Sequence, residues 1–75
     1  MAMVTAIAAL PARQEQRVGV TYAQAMEVFE RYFAASQAVP TIAHQMGIPF
    51  ETACRVLDGH VWPAAYRYWL DKVFP

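Results

Sequence analysis

The sequence has little of what usually stabilises a very small domain through covalent or metal bonds. Its 75 residues include one cysteine, Cys54, and two histidines, His44 and His60. One thiol cannot form a disulfide within the chain, and three soft ligands are too few for a four-ligand structural zinc site. The sequence therefore excludes disulfide-rich and zinc-stabilised folds, and we expect no metal and no cofactor.

Charge is also scarce, and it is balanced. Six basic and six acidic side chains give a formal net charge of zero, while 57% of the residues are apolar. Disordered chains combine low hydrophobicity with high net charge, so this composition predicts one folded domain. A domain of this size often depends on a second subunit for part of its stability, which favours a homodimer.

No targeting or membrane-spanning segment is convincing. The first ten residues are apolar, but no basic residue precedes them, as it does in a secretory signal. They are also shorter than the roughly 20 apolar residues that span a bilayer. We expect a cytoplasmic protein without a membrane partner, and a weak export signal is the less favoured alternative.

Residues 1–20 are treated as an N-terminal arm or short docking segment, and residues 21–75 as the domain. Three apolar residues of the first segment would share one face of a short helix: Met3, Ile7 and Leu10. Residues 18–20 are compatible with a short extended piece. Arg13 and Arg17 could form a basic arm, although an acidic residue lies between them.

Helical signals become strong at Thr21. Thr21 and Gln24 fit a capping box, and the apolar stripe that continues this helix to about residue 35 consists of Tyr22, Met26, Phe29 and Phe33. Three later helix starts are marked by prolines: Pro40, Pro49 and Pro63. Gly47 and Gly59 mark the stops between them, and the last helix is expected over residues 63–73. The pattern predicts an all-α domain of four to five helices.

The last predicted helix is rich in aromatic residues. Its apolar stripe consists of Trp62, Tyr66, Trp69, Leu70 and Val73, and Tyr68 lies off this stripe. We predict a dimer surface formed by Trp62, Tyr66, Tyr68 and Trp69, because aromatic residues are enriched at interfaces. The apolar first ten residues are the alternative dimer surface, and Tyr68 could also be an ordinary exposed residue.

The stretch from residue 39 to residue 59 predicts two short helices that cross steeply. Such a crossing needs small or apolar residues at the contact and a glycine in the turn. Ile42 and Met46 are expected to face inward from the first helix, and Ala43 is small enough to let the second helix approach. The inward residues after the turn glycine are Ile48, Ala53, Val56 and Leu57.

These residues resemble the helix-turn-helix of the lambda repressor and Cro family of phage-type transcription regulators. Four positions carry the resemblance, namely the small residue, turn glycine, turn plug and second-helix anchor: Ala43, Gly47, Ile48 and Val56. The resemblance covers residues 39–59 and implies a DNA-binding domain with the motif at its centre. Two positions depart from the family, because Pro40 replaces a frequent phosphate-binding glutamine and Phe50 a frequent polar residue.

The docking mode of this motif places the second helix in the major groove of double-stranded DNA. The residues then expected at base edges are Pro49, Phe50, Glu51, Cys54 and Arg55. Arg55 could bind guanine in a bidentate manner and Glu51 could accept from cytosine, whereas Phe50 could contact a thymine methyl group. Alternatively, Glu51 and Arg55 form a solvated i,i+4 ion pair, and the two interpretations are compatible.

The outer side of the first motif helix is expected to touch phosphates through Thr41, His44 and Gln45, although each could be an ordinary surface residue. His60 is expected to assist the end of the second motif helix. With so few basic residues, a monomer would bind DNA poorly. A two-fold dimer touching about three phosphates per subunit would neutralise about six and give a log-log salt slope near −5.

Two functions follow as hypotheses. The first is a sequence-specific transcriptional regulator, a homodimeric repressor of phage or mobile-element type that binds a palindromic operator. The second is a protein-binding adaptor or antagonist that uses the same fold on a transcription factor or RNA polymerase. An enzyme is not predicted, because the sequence shows no nucleophile and base pattern, phosphate-binding glycine loop or carboxylate cluster.

Overall fold

The structure is a computed structural model that describes residues 16–75. Its elements are a hairpin of β1 (Gln16–Arg17) and β2 (Val20–Thr21), α1 (Tyr22–Phe29), a π-helix (Glu30–Ala34), α2 (Val39–Met46), α3 (Phe50–Leu57) and α4 (Pro63–Val73). Helices account for 67% of it, which confirms the predicted helical class with a small hairpin added. The predicted helical face of Met3, Ile7 and Leu10 lies outside the described residues, as does Arg13.

The hairpin belongs to the packed domain. Gln16 pairs with Thr21 and Arg17 with Val20 in antiparallel register. Both turn residues, Val18 and Gly19, have positive φ, at 55° and 78°, as a type I′ turn requires. Val20 is fully buried, so the segment assigned to an arm or docking segment packs into the core at its C-terminal end.

The first helix begins as the sequence predicts. The Thr21 hydroxyl accepts from the Gln24 N–H at 3.1 Å, and the Gln24 side chain accepts from the Thr21 N–H at 2.9 Å. The helix widens into the π-helix after Phe29 and ends before Ser36, whose φ is 56°. A helical segment was expected to about residue 35, but the π-helix within it was not.

The buried face of α1 is broader than the predicted stripe, whose Phe29 is buried as expected. Ala25, Val28 and Phe29 are buried, while the predicted Tyr22, Met26 and Phe33 are partly buried at its edge. Because α1 packs against both α3 and α4, it buries a broad face that includes the small Ala25. The full set of buried hydrophobic residues also includes Val20, Ile42, Ala43, Ala53, Val56, Val61, Trp62, Ala65 and Trp69.

Candidate nucleic-acid interface

The turn between α2 and α3 depends on Gly47. Its φ is 69°, in the left-handed region, and it follows the last residue of α2. The Gly47 N–H donates to the His44 carbonyl at 3.3 Å, and the Ile48 N–H donates to the Ala43 carbonyl at 3.0 Å. This pair of bonds is a Schellman motif, which ends a helix sharply and redirects the chain. Phe50 then begins α3 after a turn of residues 47–49.

Small buried side chains bring the two helices together. Ala43 on α2 and Ala53 on α3 are both buried, as are Ile42 and Val56, which join them to the core. An alanine at a helix contact lets the two backbones approach closely, because no long side chain separates them. Consequently the inner face of α3 packs against the core, and its outer face remains exposed to solvent.

The outer face of α3 carries most of the residues predicted to contact bases. Pro49, Phe50, Glu51 and Arg55 are exposed, with Phe50 at 53% of its full area, and Cys54 is partly buried. An Arg55 guanidinium nitrogen lies 3.3 Å from a Glu51 carboxylate oxygen, so the expected i,i+4 pair is present. Both side chains are solvated, so the pair contributes little stability but aligns the arginine along the helix.

The end of α3 is held by a second polar pair. The His60 N–H donates to a carboxylate oxygen of Asp58, and a ring nitrogen of His60 lies 2.6 Å from the same oxygen. The side-chain hydrogen bond from His60 lowers the pKa of Asp58, with smaller contributions from the backbone bond and from nearby positive charge. Asp58 therefore stays ionised beside the helix end, where His60 was expected to act.

On the outer side of α2, one residue expected to contact phosphates is already hydrogen-bonded within the chain. Thr41, His44 and Gln45 are exposed, but the Gln45 side-chain oxygen accepts a hydrogen bond from Arg31. Arg31 also donates to Glu27 at 2.8 Å, so it ties α1 to α2 across the surface. Sequence reasoning missed Arg31, although its i,i+4 spacing from Glu27 is a recognisable signal.

The aromatic residues of α4 divide into core and surface. Two of the four residues predicted to line a dimer surface, Trp62 and Trp69, retain 6% and 8% of their exposure and so belong mainly to the core of the single chain. Phe29 stacks on the Trp69 ring at a centroid distance of 6.5 Å, so this side chain is used within the domain. Tyr66 is partly buried, and Tyr68 is exposed at 49%.

Comparison with known proteins gave no match for this chain. No protein-family model matches the chain, and neither a curated protein nor a solved structure is significantly similar to it. Between residues 16 and 75, no three His, Cys, Asp or Glu side chains are grouped so as to hold a metal ion. Within the same range, no helix is long and apolar enough to cross a bilayer. Any function must therefore be argued from the geometry of α2, α3 and their surroundings.

Proposed function

We propose that the chain is a sequence-specific DNA-binding transcriptional regulator that acts in the cytoplasm as a homodimeric repressor. The observation that carries the proposal is the outer face of α3, which is exposed at its N-terminal half while its inner face is fixed by Ala53 and Val56. A short helix held in this way is the shape that enters a major groove in helix-turn-helix proteins. The glycine turn and the small residue Ala43 support the same reading.

Arg55 is the residue proposed to read sequence. Its guanidinium presents two parallel donors that match O6 and N7 of guanine, the most frequent specific contact in the major groove. Glu51 lies one turn earlier and holds Arg55 along the helix surface, which reduces the freedom that the arginine would lose on binding. Phe50, at the start of α3, is suited to the methyl group of thymine.

Contacts to phosphates would come from Thr41 and His44 on the exposed side of α2. Such contacts fix the orientation of the protein without reading sequence. With six basic residues in each chain, two subunits on one palindrome supply more phosphate contacts than one subunit can. A dimer covering promoter DNA would repress transcription by excluding the polymerase.

Selection of duplexes from a random pool at moderate salt tests this proposal. The unmodified chain is expected to enrich a palindrome, and Arg55→Ala should lose about 10- to 100-fold in affinity and accept several bases at one position of each half-site. Arg67→Ala is the matched control, because Arg67 is an exposed arginine on α4 rather than on α3. If the unmodified chain and Arg55→Ala both recover random sequence, base reading by α3 is wrong.

One observation favours a second function, a protein-binding adaptor. Phe50 is half exposed, and two acids, Glu51 on α3 and Asp58 just after its last residue, offset the charge of Arg55, so the surface is not strongly basic. A photo-crosslinking amino acid at position 50, mixed with purified RNA polymerase in the absence of DNA, distinguishes the two. A specific crosslink together with no enriched duplex would favour the adaptor.

A further inference from the structure

A groove separates α1 and the π-helix from α4, on a side of the domain that includes no residue of α3. Its volume is about 770 Å³, and its lining includes Met26, Glu30, Ala34, Tyr68, Trp69 and Lys72. None of the eight residues predicted to contact DNA lines this groove. We call it the α1–α4 groove. A ligand in this groove and a duplex on α3 could therefore be bound at the same time.

A row of four aromatic rings ends at the groove, which Tyr68 and Trp69 line and the other two rings do not. Tyr32 contacts Phe33 at a centroid distance of 5.1 Å, Phe33 contacts Trp69 at 6.1 Å, and Trp69 contacts Tyr68 at 6.2 Å. The two ends of the row, Tyr32 and Tyr68, are exposed at 41% and 49%. Single exposed aromatics are common, but aromatic residues are enriched at protein interfaces, and here Tyr68 and Trp69 line a groove of mixed polarity.

Two irregular features lie beside the groove. The indole Nε1 of Trp69 is buried and has no hydrogen-bond acceptor among residues 16–75. Buried polar groups are nearly always paired, so an orphaned donor needs an explanation. The adjoining π-helix is a second irregularity, and such segments occur frequently at functional sites. Both features lie beside the aromatic row.

The charges at the groove favour a second copy of the chain as its occupant. Glu30 lies on the π-helix wall and Lys72 on the α4 wall, and neither forms an ion pair within the described part of the chain. The other two charged residues of the lining, Glu27 and Arg31, form an ion pair with each other, with a nitrogen-to-oxygen distance of 2.7 Å. In a two-fold interface the same surface meets itself, and with the axis along the groove Glu30 of each protomer would face Lys72 of the other. Opposite charges on opposite walls make the groove complementary to itself.

We propose that the α1–α4 groove is a dimer interface, in which Tyr68 packs against the second copy and Glu30 pairs with Lys72 of the partner subunit. This inference supplies the surface for the homodimer in the proposed function. Of the dimer surface predicted from the sequence, the proposed interface keeps Tyr68 and Trp69, leaves out Trp62 and Tyr66, and adds Glu30 of the π-helix. Dimerisation through this groove does not require DNA.

Sedimentation equilibrium of the full chain without DNA tests the interface. The unmodified chain is expected to be dimeric, and Lys72→Glu and Glu30→Lys should each weaken the dimer at least tenfold, because each places like charges in both contacts. An equimolar mixture of the two variants should recover dimers, since the heterodimer has opposite charges in both contacts. Recovery on mixing cannot arise from repulsion within one chain.

The matched controls are Arg67→Glu and Asp71→Lys, which reverse exposed charges on α4 outside the groove and should leave the dimer unchanged. Tyr68→Ser, a neutral change, should weaken the dimer about tenfold or more while circular dichroism shows an unchanged fold. A monomeric unmodified chain, whether its groove is empty or covered by residues 1–15, overturns the inference. So does a dimer that is indifferent to all three groove substitutions.

These outcomes are separable from those of the proposed function. Arg55→Ala should leave sedimentation unchanged, because Arg55 lies on α3 and not in the groove. A dimer disrupted by the groove variants, together with no enriched duplex, would retain this inference and reject DNA recognition. If instead the chain is monomeric without DNA but enriches a duplex, DNA recognition is retained and the dimer interface is rejected.

Discussion

At position 59, backbone conformation and packing both require a residue without a side chain. The φ of Gly59 is 89°, a conformation that side chains disfavour, and a Cβ added there would lie 2.8 Å from Cγ of Tyr66. The Tyr66 ring is held in place by Phe29 at a centroid distance of 6.4 Å, so it has little room to move. Gly59 therefore ends α3, and its lack of a side chain lets Tyr66 on α4 pack close to the backbone.

Gly59→Ala is expected to destabilise the domain by about 3 kcal/mol, since the left-handed conformation costs about 1–2 kcal/mol and the overlap with Tyr66 adds a similar amount. Gly47→Ala is the matched control, because Gly47 has φ of 69° and no atom within 4 Å of an added Cβ. It should cost about 1 kcal/mol. Urea denaturation of both variants measures the difference, and equal losses would show that the Tyr66 contact is unimportant.

Asp58 gives a residue-scale prediction about pH. Because its pKa is lowered in the folded chain by the hydrogen bond from His60, the stability that it contributes is full above the ordinary carboxyl pKa of 3.8 and is lost as pH falls through the folded value. In His60→Ala the Asp58 pKa, measured by NMR titration, should rise toward 3.8. His44→Ala, which removes an exposed histidine on α2, should leave it unchanged.

At the scale of elements, the junction of the hairpin with α4 depends on one indole. Trp62 Nε1 donates to the Val20 carbonyl at 2.8 Å, and the Tyr22 ring contacts the edge of the Trp62 ring at a centroid distance of 5.6 Å. Arg17 lies over the same ring, 4.1 Å from its centroid. This side chain therefore holds β1, β2 and the start of α1 against α4.

Comparing two buried tryptophans isolates the contribution of that hydrogen bond. Trp62→Phe and Trp69→Phe remove similar volume, but Trp69 Nε1 has no acceptor to lose. We expect Trp62→Phe to cost about 1–2 kcal/mol more in free energy of unfolding, measured by denaturation. A smaller loss for Trp62→Phe than for Trp69→Phe would contradict the assignment of the Val20 contact as the anchor.

The ends of helices were predictable from the sequence where a capping box, a proline or a glycine marked them. The capping box at Thr21 and the start of α4 at Pro63 were predicted correctly, and α2 and α3 both end at glycines as expected. The hairpin was not, because its turn is Val18-Gly19 rather than the asparagine-glycine pair that signals a type I′ turn. The π-helix has no sequence signature of its own, so the sequence could not reveal it.

For the whole molecule, the balance of charges constrains the proposed binding of a duplex. Of the cations on the described part of the chain, Arg31 and Arg55 already pair with acids, and Lys72 lies 4.8 Å from the centroid of the Trp69 ring. Affinity then depends on two subunits acting together. The proposed dimer interface and the proposed DNA contacts are therefore linked through the number of phosphates reached.

The salt dependence of duplex binding measures that number. The log-log slope of the unmodified chain on its selected palindrome should be about −5 if each subunit neutralises about three phosphates, and shallower in proportion if it neutralises fewer. Tyr68→Ser, which weakens the dimer without changing charge, should show about half that slope at concentrations where it is monomeric. Filter binding at several salt concentrations gives both values, and equal slopes would separate dimerisation from DNA binding.

The candidate site was more predictable than the molecular surface around it. The exposure of Phe50, Glu51 and Arg55 followed from helical spacing, because a period of 3.6 residues separates inner from outer faces. The division of the α4 aromatics did not follow, because burial of Trp69 depends on α1 and the π-helix, which are distant in sequence. Long-range packing is the information that local patterns lack.

The attachment of α3 by one face also has an engineering consequence. Residues 50, 51 and 55 are exposed and support none of the buried core, so their identities are free to change without loss of the fold. A library randomised at these three positions would sample new recognition surfaces on an unaltered scaffold. The single thiol at Cys54, between them, offers a unique attachment point for a fluorescent reporter of whatever those surfaces bind.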